Sequence, residues 1–442
     1  MSYTAVLKLI NDRKSKKRLL TVLSTGGLSS LSVIMLVIIA VAIIVIVPSI
    51  SALILPFSYA QQQPPPQNAA TNSAACIIYD SDAKIITITC DSTSLTDIDN
   101  QIKDANVIHK EETNPTGSGD HHGGIWLLNA GIVVANNAAL YINSTDTTWL
   151  KINADGDTAN GIDVHGRLKI DSVKITSWNM QTNDYAKTDV QGKIPRPYIF
   201  VEKDATGTTD IINSELAYLG YVDDYRGSGL RYNGGPGSLV KGNHIHNLQT
   251  GFYSDGVGGM IIEGNLIHDN TAYGLDPHTG THDMIIRNNV VHNNGEEGII
   301  CSLDCYNITF EGNEAYNNAH SGIMFSRNMY NSVARNNYIH NEVKGIFVSA
   351  SNNNQVYNNT VSDSEEGIYL KALAHNNKIY DNTITNAKSN GILVNTGAHD
   401  NTFSSNTIIN ATKFGINVAP DSNNNNNTFE NNKLINAKVA GQ

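Results

Sequence analysis

Gly322-Ile323-Met324-Phe325-Ser326, Gly345-Ile346-Phe347-Val348-Ser349 and Gly367-Ile368-Tyr369-Leu370-Lys371 are three copies of one phrase, and reading them decides the fold. The phrase starts at Gly251, Gly274, Gly298, Gly322, Gly345, Gly367, Gly391 and Gly415, at intervals of 22 to 24 residues. In step with it runs a column of asparagines, Asn243, Asn265, Asn289, Asn313, Asn337, Asn359, Asn382, Asn406 and Asn432. Two columns in register mark a solenoid. Between them lie short alternating runs of Val, Ile, Thr and Tyr bounded by Asn and Gly, which is strand and turn chemistry without a helical period. A repeat of this size with two or three short strands is one coil of a parallel β-helix. The fold expected is therefore all-β, a right-handed parallel β-helix. Stacked Asn side chains can bond each other as an amide ladder, and Asn tolerates the left-handed backbone of a sharp corner.

The strand period of two sorts the side chains. One position after the column Gly stand Phe252, Leu275, Ile299, Ile323, Ile346, Ile368, Ile392 and Ile416, which predicts an inward position. Three positions after it the residues are again mostly apolar, including Cys301, Phe325, Val348 and Leu370. Positions two and four then point outward. Position four reads Asp255, Ser302, Ser326, Ser349, Lys371 and Asn395, as a wet face should. Position two carries Tyr253, Ile300, Met324, Phe347 and Tyr369, an outward apolar stripe that suggests a binding surface, such as a platform for a sugar chain, or a covering loop. One rung breaks the pattern: Tyr273-Gly274-Leu275-Asp276-Pro277-His278 places Asp276 and His278 at the outward positions, with Tyr273 just before the Gly. The three side chains are expected to project together from one exposed face.

That hexapeptide resembles the Tyr-Gly-Phe-Asp-Pro-His signature of mannuronan C5-epimerases, alginate-modifying β-helix enzymes. The resemblance extends to Ile285-Ile286-Arg287-Asn288-Asn289-Val290-Val291-His292-Asn293-Asn294-Gly295 and the Gly298 rung. It is weaker at Thr176-Ser177-Trp178 and Arg196-Pro197-Tyr198, and covers about residues 165–400. It implies epimerisation of uronic acid residues, mannuronate to guluronate, in an anionic polysaccharide, with His278 as base and Tyr273 as proton donor or relay. The residue types suit the task. The C5 proton lies α to a carboxylate, so its removal needs a base, an acid on the opposite face and a neutraliser for the carboxylate. Asp276 is placed to orient or tune His278. The neutralising Arg of a bacterial family member aligns with Leu303 here, while Arg327 restores a Ser-Arg pair one rung later, about 10 Å from His278 by rung spacing. Arg327 is therefore expected to act from the adjacent subsite. Asp255, Tyr253, His282 and Met324 are the further expected substrate-binding residues. A β-eliminating lyase and a non-catalytic carbohydrate-binding surface protein are the alternative readings. No cofactor is required by this chemistry; some members of the family use calcium, so Ca2+ stays open, although no calcium loop is evident.

Outside the ladder, Lys14, Lys16, Lys17 and Arg18 precede an apolar run from Leu28 to Leu55. This reads as a transmembrane helix with a cytoplasmic N-terminus, or as a signal peptide cleaved after Ser58-Tyr59-Ala60. The organisation expected is a basic tail (1–20), the anchor or signal (21–60), a Pro/Gln linker (61–75), a strand-rich cap (76–123) and the β-helix domain (124–442). The β-helix is then an extracellular or secreted monomer. Segments Asn179–Arg196 and Arg226–Gly237 are candidate groove walls. Acidic residues outnumber basic ones, 41 to 30, for a net charge of -11, which argues against nucleic acid as a partner. Cys76 and Cys90 bracket two strand-like runs, so a hairpin disulfide is expected in an oxidising exterior. Cys301 reads as a buried small apolar residue, and its spacing from Cys305 does not by itself establish a pair. The column His246, His268, His292 and His340 reads as a repeat-derived surface ladder, so no metal site is expected there.

Overall fold

Three sheets run the length of the domain, because each coil contributes one short strand to each. The computed structural model describes residues 75–111, 123–154, 159–188, 192–222, 226–419 and 426–439. The predicted tail, anchor or signal, and nearly all of the linker lie outside these residues. Among the described residues no helix is long and apolar enough to cross a membrane. The first sheet has 14 strands, from Ile77–Asp80 to Phe414–Val418; the second has 14, from Ile108–Glu111 to Lys433–Ile435; the third has 12, from Ala139–Asn143 to Thr428–Glu430. Neighbours pair in parallel except at the N-terminal end, where Ile77–Asp80 meets Ile85–Ile88 and Ile108–Glu111 meets Gly124–Leu128 antiparallel. The segment expected as a strand-rich cap also contains a helix, Leu95–Ile102, whose N-cap Ser94 and Asp97 form a capping box.

The inward columns are buried as the pattern requires, with Phe252, Leu275, Ile299, Ile323, Ile346, Ile368 and Ile392 fully enclosed. The column Gly is there for close approach: a Cβ on Gly274 would fall 2.5 Å from the carbonyl oxygen of Gly298. The amide ladder forms along the whole Asn column. The Nδ2 of Asn289 donates to Oδ1 of Asn313 at 3.0 Å, and Asn313 to Asn337 at 3.1 Å. The left-handed residue of each corner is the one before the column Asn, such as Asn288 at φ 55° and Asn336 at φ 57°. The column Asn spends its amide on the ladder and leaves the unusual backbone to its predecessor.

A second amide ladder, Asn270, Asn294 and Asn318, ends on Glu342. The Oε1 of Glu342 accepts from Asn318 at 2.7 Å, and Oε2 has no partner among the described residues. Burial pushes this carboxyl up to about 8. Its folded pKa thus lies above the unfolded one, so its contribution to stability is full below the unfolded value and is lost as pH rises through about 8. Glu342→Gln keeps the acceptor and removes the titration. We expect its thermal midpoint to exceed that of the parent by roughly 5 °C at pH 8 and to match it at pH 4, read by circular dichroism melts.

Candidate active site

The hexapeptide forms the first-sheet strand Leu275–His278, between Thr250–Asp255 and Ile299–Ser302. Register puts Tyr253 beside Asp276 and Asp255 beside His278 on one side, and Ser302 beside His278 on the other. Pro277 has no N–H to donate, and pairing with Ile299–Ser302 registers only at Leu275 and His278.

His278 is half-buried and its ring is held from three sides. Its Nδ1 lies 2.6 Å from Oγ1 of Thr279, and Nη2 of Arg327 lies 2.8 Å from its Nε2. A guanidinium only donates, so Nε2 accepts and the proton sits on Nδ1, donated to Thr279. Tyr253 stacks on the ring at 5.7 Å. Burial first, and then the charge of Arg327, hold the imidazole below its usual range, so it is neutral at pH 7.

The expected 10 Å gap to Arg327 is closed. Arg327 starts from a left-handed turn, φ 51°, and lies back across Ser302, whose buried Oγ accepts from Nε at 2.7 Å. Leu303, in the position of the family's arginine, is also left-handed at φ 67° and partly exposed at 36%. Arg327 therefore reaches the His278 imidazole directly. Ser302→Ala should leave the fold intact, which circular dichroism checks, and cost Arg327 one hydrogen bond to a charged donor, about 1.5–3 kcal/mol.

The expectation that Asp276 is exposed is corrected: it is 5% exposed, although it points outward from its strand. Burial raises its carboxyl well above the usual range, and Oδ1 has no partner among the described residues. Tyr273, also expected to be exposed, is half-buried, with a phenol pushed up to about 12 by burial and then by Asp276. The site at neutral pH combines a neutral imidazole whose acceptor is covered by Arg327, a protonated phenol, a buried carboxyl raised well above its usual range and a guanidinium.

Of the other predicted residues, Tyr253 and Asp255 join this cluster and Met324 lies two rungs on in the same outward column. His282 does not join it. It sits in a turn ladder, stacked on Tyr306 at 4.9 Å, with Nδ1 on Asp283. The proposed groove walls are also corrected. Tyr185 of the Asn179 insertion stacks on Tyr218 at 4.3 Å beside Trp178 of the second sheet. Arg196 is buried, bonded to the carbonyls of Leu219 and Gly220. Gly229–Tyr232, inside the second segment, is a rung of the first sheet. That rung carries a residue the sequence reading missed. Arg231 pairs with Asp255 at 3.4 Å and lies over Tyr253 at 4.5 Å. Its signal was its place two residues after Gly229, in the column of Tyr253 and Asp276. Cys301 is buried as expected and bonded to Cys305, on the turn beside Ser302; Cys76 pairs with Cys90.

A family model described as "Periplasmic copper-binding protein (NosD)" matches residues 202–390 and 358–441, together more than half of the chain. A mannuronan C5-epimerase of Pseudomonas fluorescens is 28% identical over 172 residues, 36% of this chain and 31% of its own length. One of Pseudomonas putida is 27% identical over 172 residues, 36% of this chain and 32% of its own length. The chain thus spans about a third of the length of these curated relatives. The crystal structure of the periplasmic alginate epimerase AlgG superposes with a TM-score of 0.69 at 18% identity, over 79% of this chain and 85% of that one. The A-module of the Azotobacter vinelandii mannuronan C-5 epimerase AlgE6 gives 0.55 at 20% identity, over 70% and 88%. These structural likenesses show the fold, a parallel β-solenoid.

The copper named in the family description calls for imidazole or sulfur donors. All four cysteines are in disulfides. The histidine column is a stack, with His268 on His292 at 4.8 Å and parallel within 2°. His268 Nδ1 bonds Asp269, and His246 bonds Asn247 and Glu215. His244 and His268 bring their Nε2 atoms to 2.7 Å, a pair that shares one proton. Among the described residues the one convergent trio is Glu296, Glu297 and His320, two hard carboxylates and one imidazole. These donors do not fit copper.

Proposed function

The chain belongs to the NosD family, and on that premise we propose that its β-helix epimerises uronic acid residues at C5 in an anionic polysaccharide of the mannuronan type. The observation that carries the reading is the contact of Arg327 Nη2 with His278 Nε2 at 2.8 Å, beside the phenol of Tyr273 and the buried carboxyl of Asp276. Its location outside the cytoplasm is supported by the two disulfides and by the basic-then-apolar N-terminal sequence.

In the free protein Arg327 occupies the lone pair that the base needs. A substrate carboxylate competes for that guanidinium, because a charge-assisted pair outweighs a bond to a neutral imidazole. Arg327 then neutralises the carboxylate and His278 Nε2 is released. The C5–H bond breaks, its proton passes to Nε2, and the electron pair moves into the carboxylate as an enediolate. The phenol of Tyr273 delivers a proton to the opposite face of C5, and the new C5–H bond inverts the centre. Asp276, whose burial favours the protonated form, can then donate a hydrogen bond to the developing oxyanion without repelling it. The proton on His278 returns to the phenolate through solvent, so the cycle is an isomerisation with no net gain or loss.

The test is polymannuronate incubated with the protein and read by proton NMR and ultraviolet absorbance. Guluronate signals without unsaturated ends support the reading. Unsaturated ends would replace it with β-elimination, and an unchanged polymer would remove catalysis.

A further inference from the structure

Beyond the reacting rung, the outer face of the first sheet continues over Ser321–Ser326, Lys344–Ser349 and Glu366–Lys371. The outward column there is Met324, Phe347 and Tyr369, in register. The stripe points outward as expected, yet Phe347 and Tyr369 are only 5% and 9% exposed. They stack on each other at 5.0 Å, and two lysines close over them. Lys344 and Lys371 each bring Nζ to 5.3 Å from the Phe347 ring, and Lys371 also lies 5.8 Å from Tyr369. Neither ammonium has a carboxylate within ion-pair distance among the described residues. The acid opposite Lys344 in register is Glu366, whose carboxylate is taken by the backbone N–H and the side-chain amide of Asn390. Asn395 bonds the Tyr369 hydroxyl at 3.0 Å at the rim.

Two ammoniums that converge on one apolar floor without an ion-paired carboxylate among the described residues, Glu297 acting on Lys344 only from longer range, are unusual in a chain of net charge -11. They fit an anion that carries its own apolar face, which is a uronate ring in a polymer. The other end of the same sheet differs. Asp163, Glu202 and Asp255 lie upstream of His278, and Arg226 and Arg231 are committed to them.

We infer that a polyuronate chain runs from His278 toward the C-terminal end of the sheet, and that Lys344 and Lys371 hold carboxylates of sugar residues three and four rungs away, over Met324, Phe347 and Tyr369. At about 4.8 Å per rung these contacts lie about 14 and 19 Å from His278. The substrate class rests on the reading of the active site, whereas the direction of the chain rests on the lysines alone.

The test is calorimetric binding of uronate oligomers of graded length to the His278→Gln protein, with and without Lys344→Ala plus Lys371→Ala. Long oligomers should lose affinity about tenfold in the double variant at low salt, and the loss should shrink at about 1 M salt, where screening is strong. Oligomers too short to span the distance should bind both proteins alike. Unchanged affinity for long oligomers, or an equal loss for short ones, would overturn the inference. Melting curves of the double variant exclude misfolding as the cause. Lysine-dependent binding by a protein that never epimerises would retain the direction and discard the reaction. Epimerisation with lysine-independent binding would do the reverse.

Discussion

Replacing His278 with Gln is expected to lower kcat by about a thousandfold, the scale of a positioned general base. The substitution keeps a polar side chain of similar length at a half-buried outward position, so the amide ladder and the core do not depend on it. Circular dichroism and thermal midpoint should match the parent. Weak polymer binding should persist, because Arg327 no longer has an imidazole to cover and stays available to a carboxylate. Loss of turnover together with loss of folding would leave the base unassigned; loss of turnover alone assigns it.

Arg327→Ala is expected to cost about 10²- to 10³-fold in kcat, the range for losing one donor to a developing oxyanion. It should also move the pH profile in a direction fixed by the geometry. Arg327 helps hold the His278 imidazole below its ordinary range, second only to burial. Without it the imidazole pKa rises, and the neutral base is lost at a higher pH on acidification. The acid limb of kcat/KM, which reports the free protein, should shift upward. A merely structural arginine would lower the rate without moving that limb. Arg327→Lys keeps a charge but loses the fork that spans Ser302 and His278, so it should recover only part of the rate.

The solenoid was legible because its two columns are imposed by physics at every coil. Gly stands where a Cβ would strike the next coil's carbonyl, and Asn stands where an amide must bond its copies above and below. The inward residues followed from the strand period alone. What the period does not carry is solvent access. Asp276, Ile300, Phe347 and Tyr369 point away from the core and are buried all the same, at 9% exposure or less. Coils stacked about 4.8 Å apart let large outward neighbours cover one another. Counting rungs also failed for Arg327. A six-atom side chain leaving a left-handed turn bridges the distance that the backbone separation seemed to forbid.

Other features left weaker marks. The pairing of Cys301 with Cys305 depends on how one turn folds, which spacing does not fix. The second amide ladder was hidden because Glu342 takes the place of its next Asn. Arg231 lies in a rung whose register shifts, so that Gly229, 22 residues before Gly251, pairs with Thr250 instead of Gly251. The acid–base pattern around His278 was the least visible part. The hexapeptide named the groups, but which of them are neutral depends on burial, and burial depends on neighbours far away in sequence.

The most direct test of the central claim is isotope exchange. Polymannuronate is incubated in deuterated water with the parent protein and with the His278→Gln and Arg327→Ala variants, and C5 is read by NMR. Deuterium at C5 of newly formed guluronate residues with the parent, and none above background with His278→Gln, is the predicted result. Deuterium incorporation undiminished in the His278→Gln protein would contradict the account.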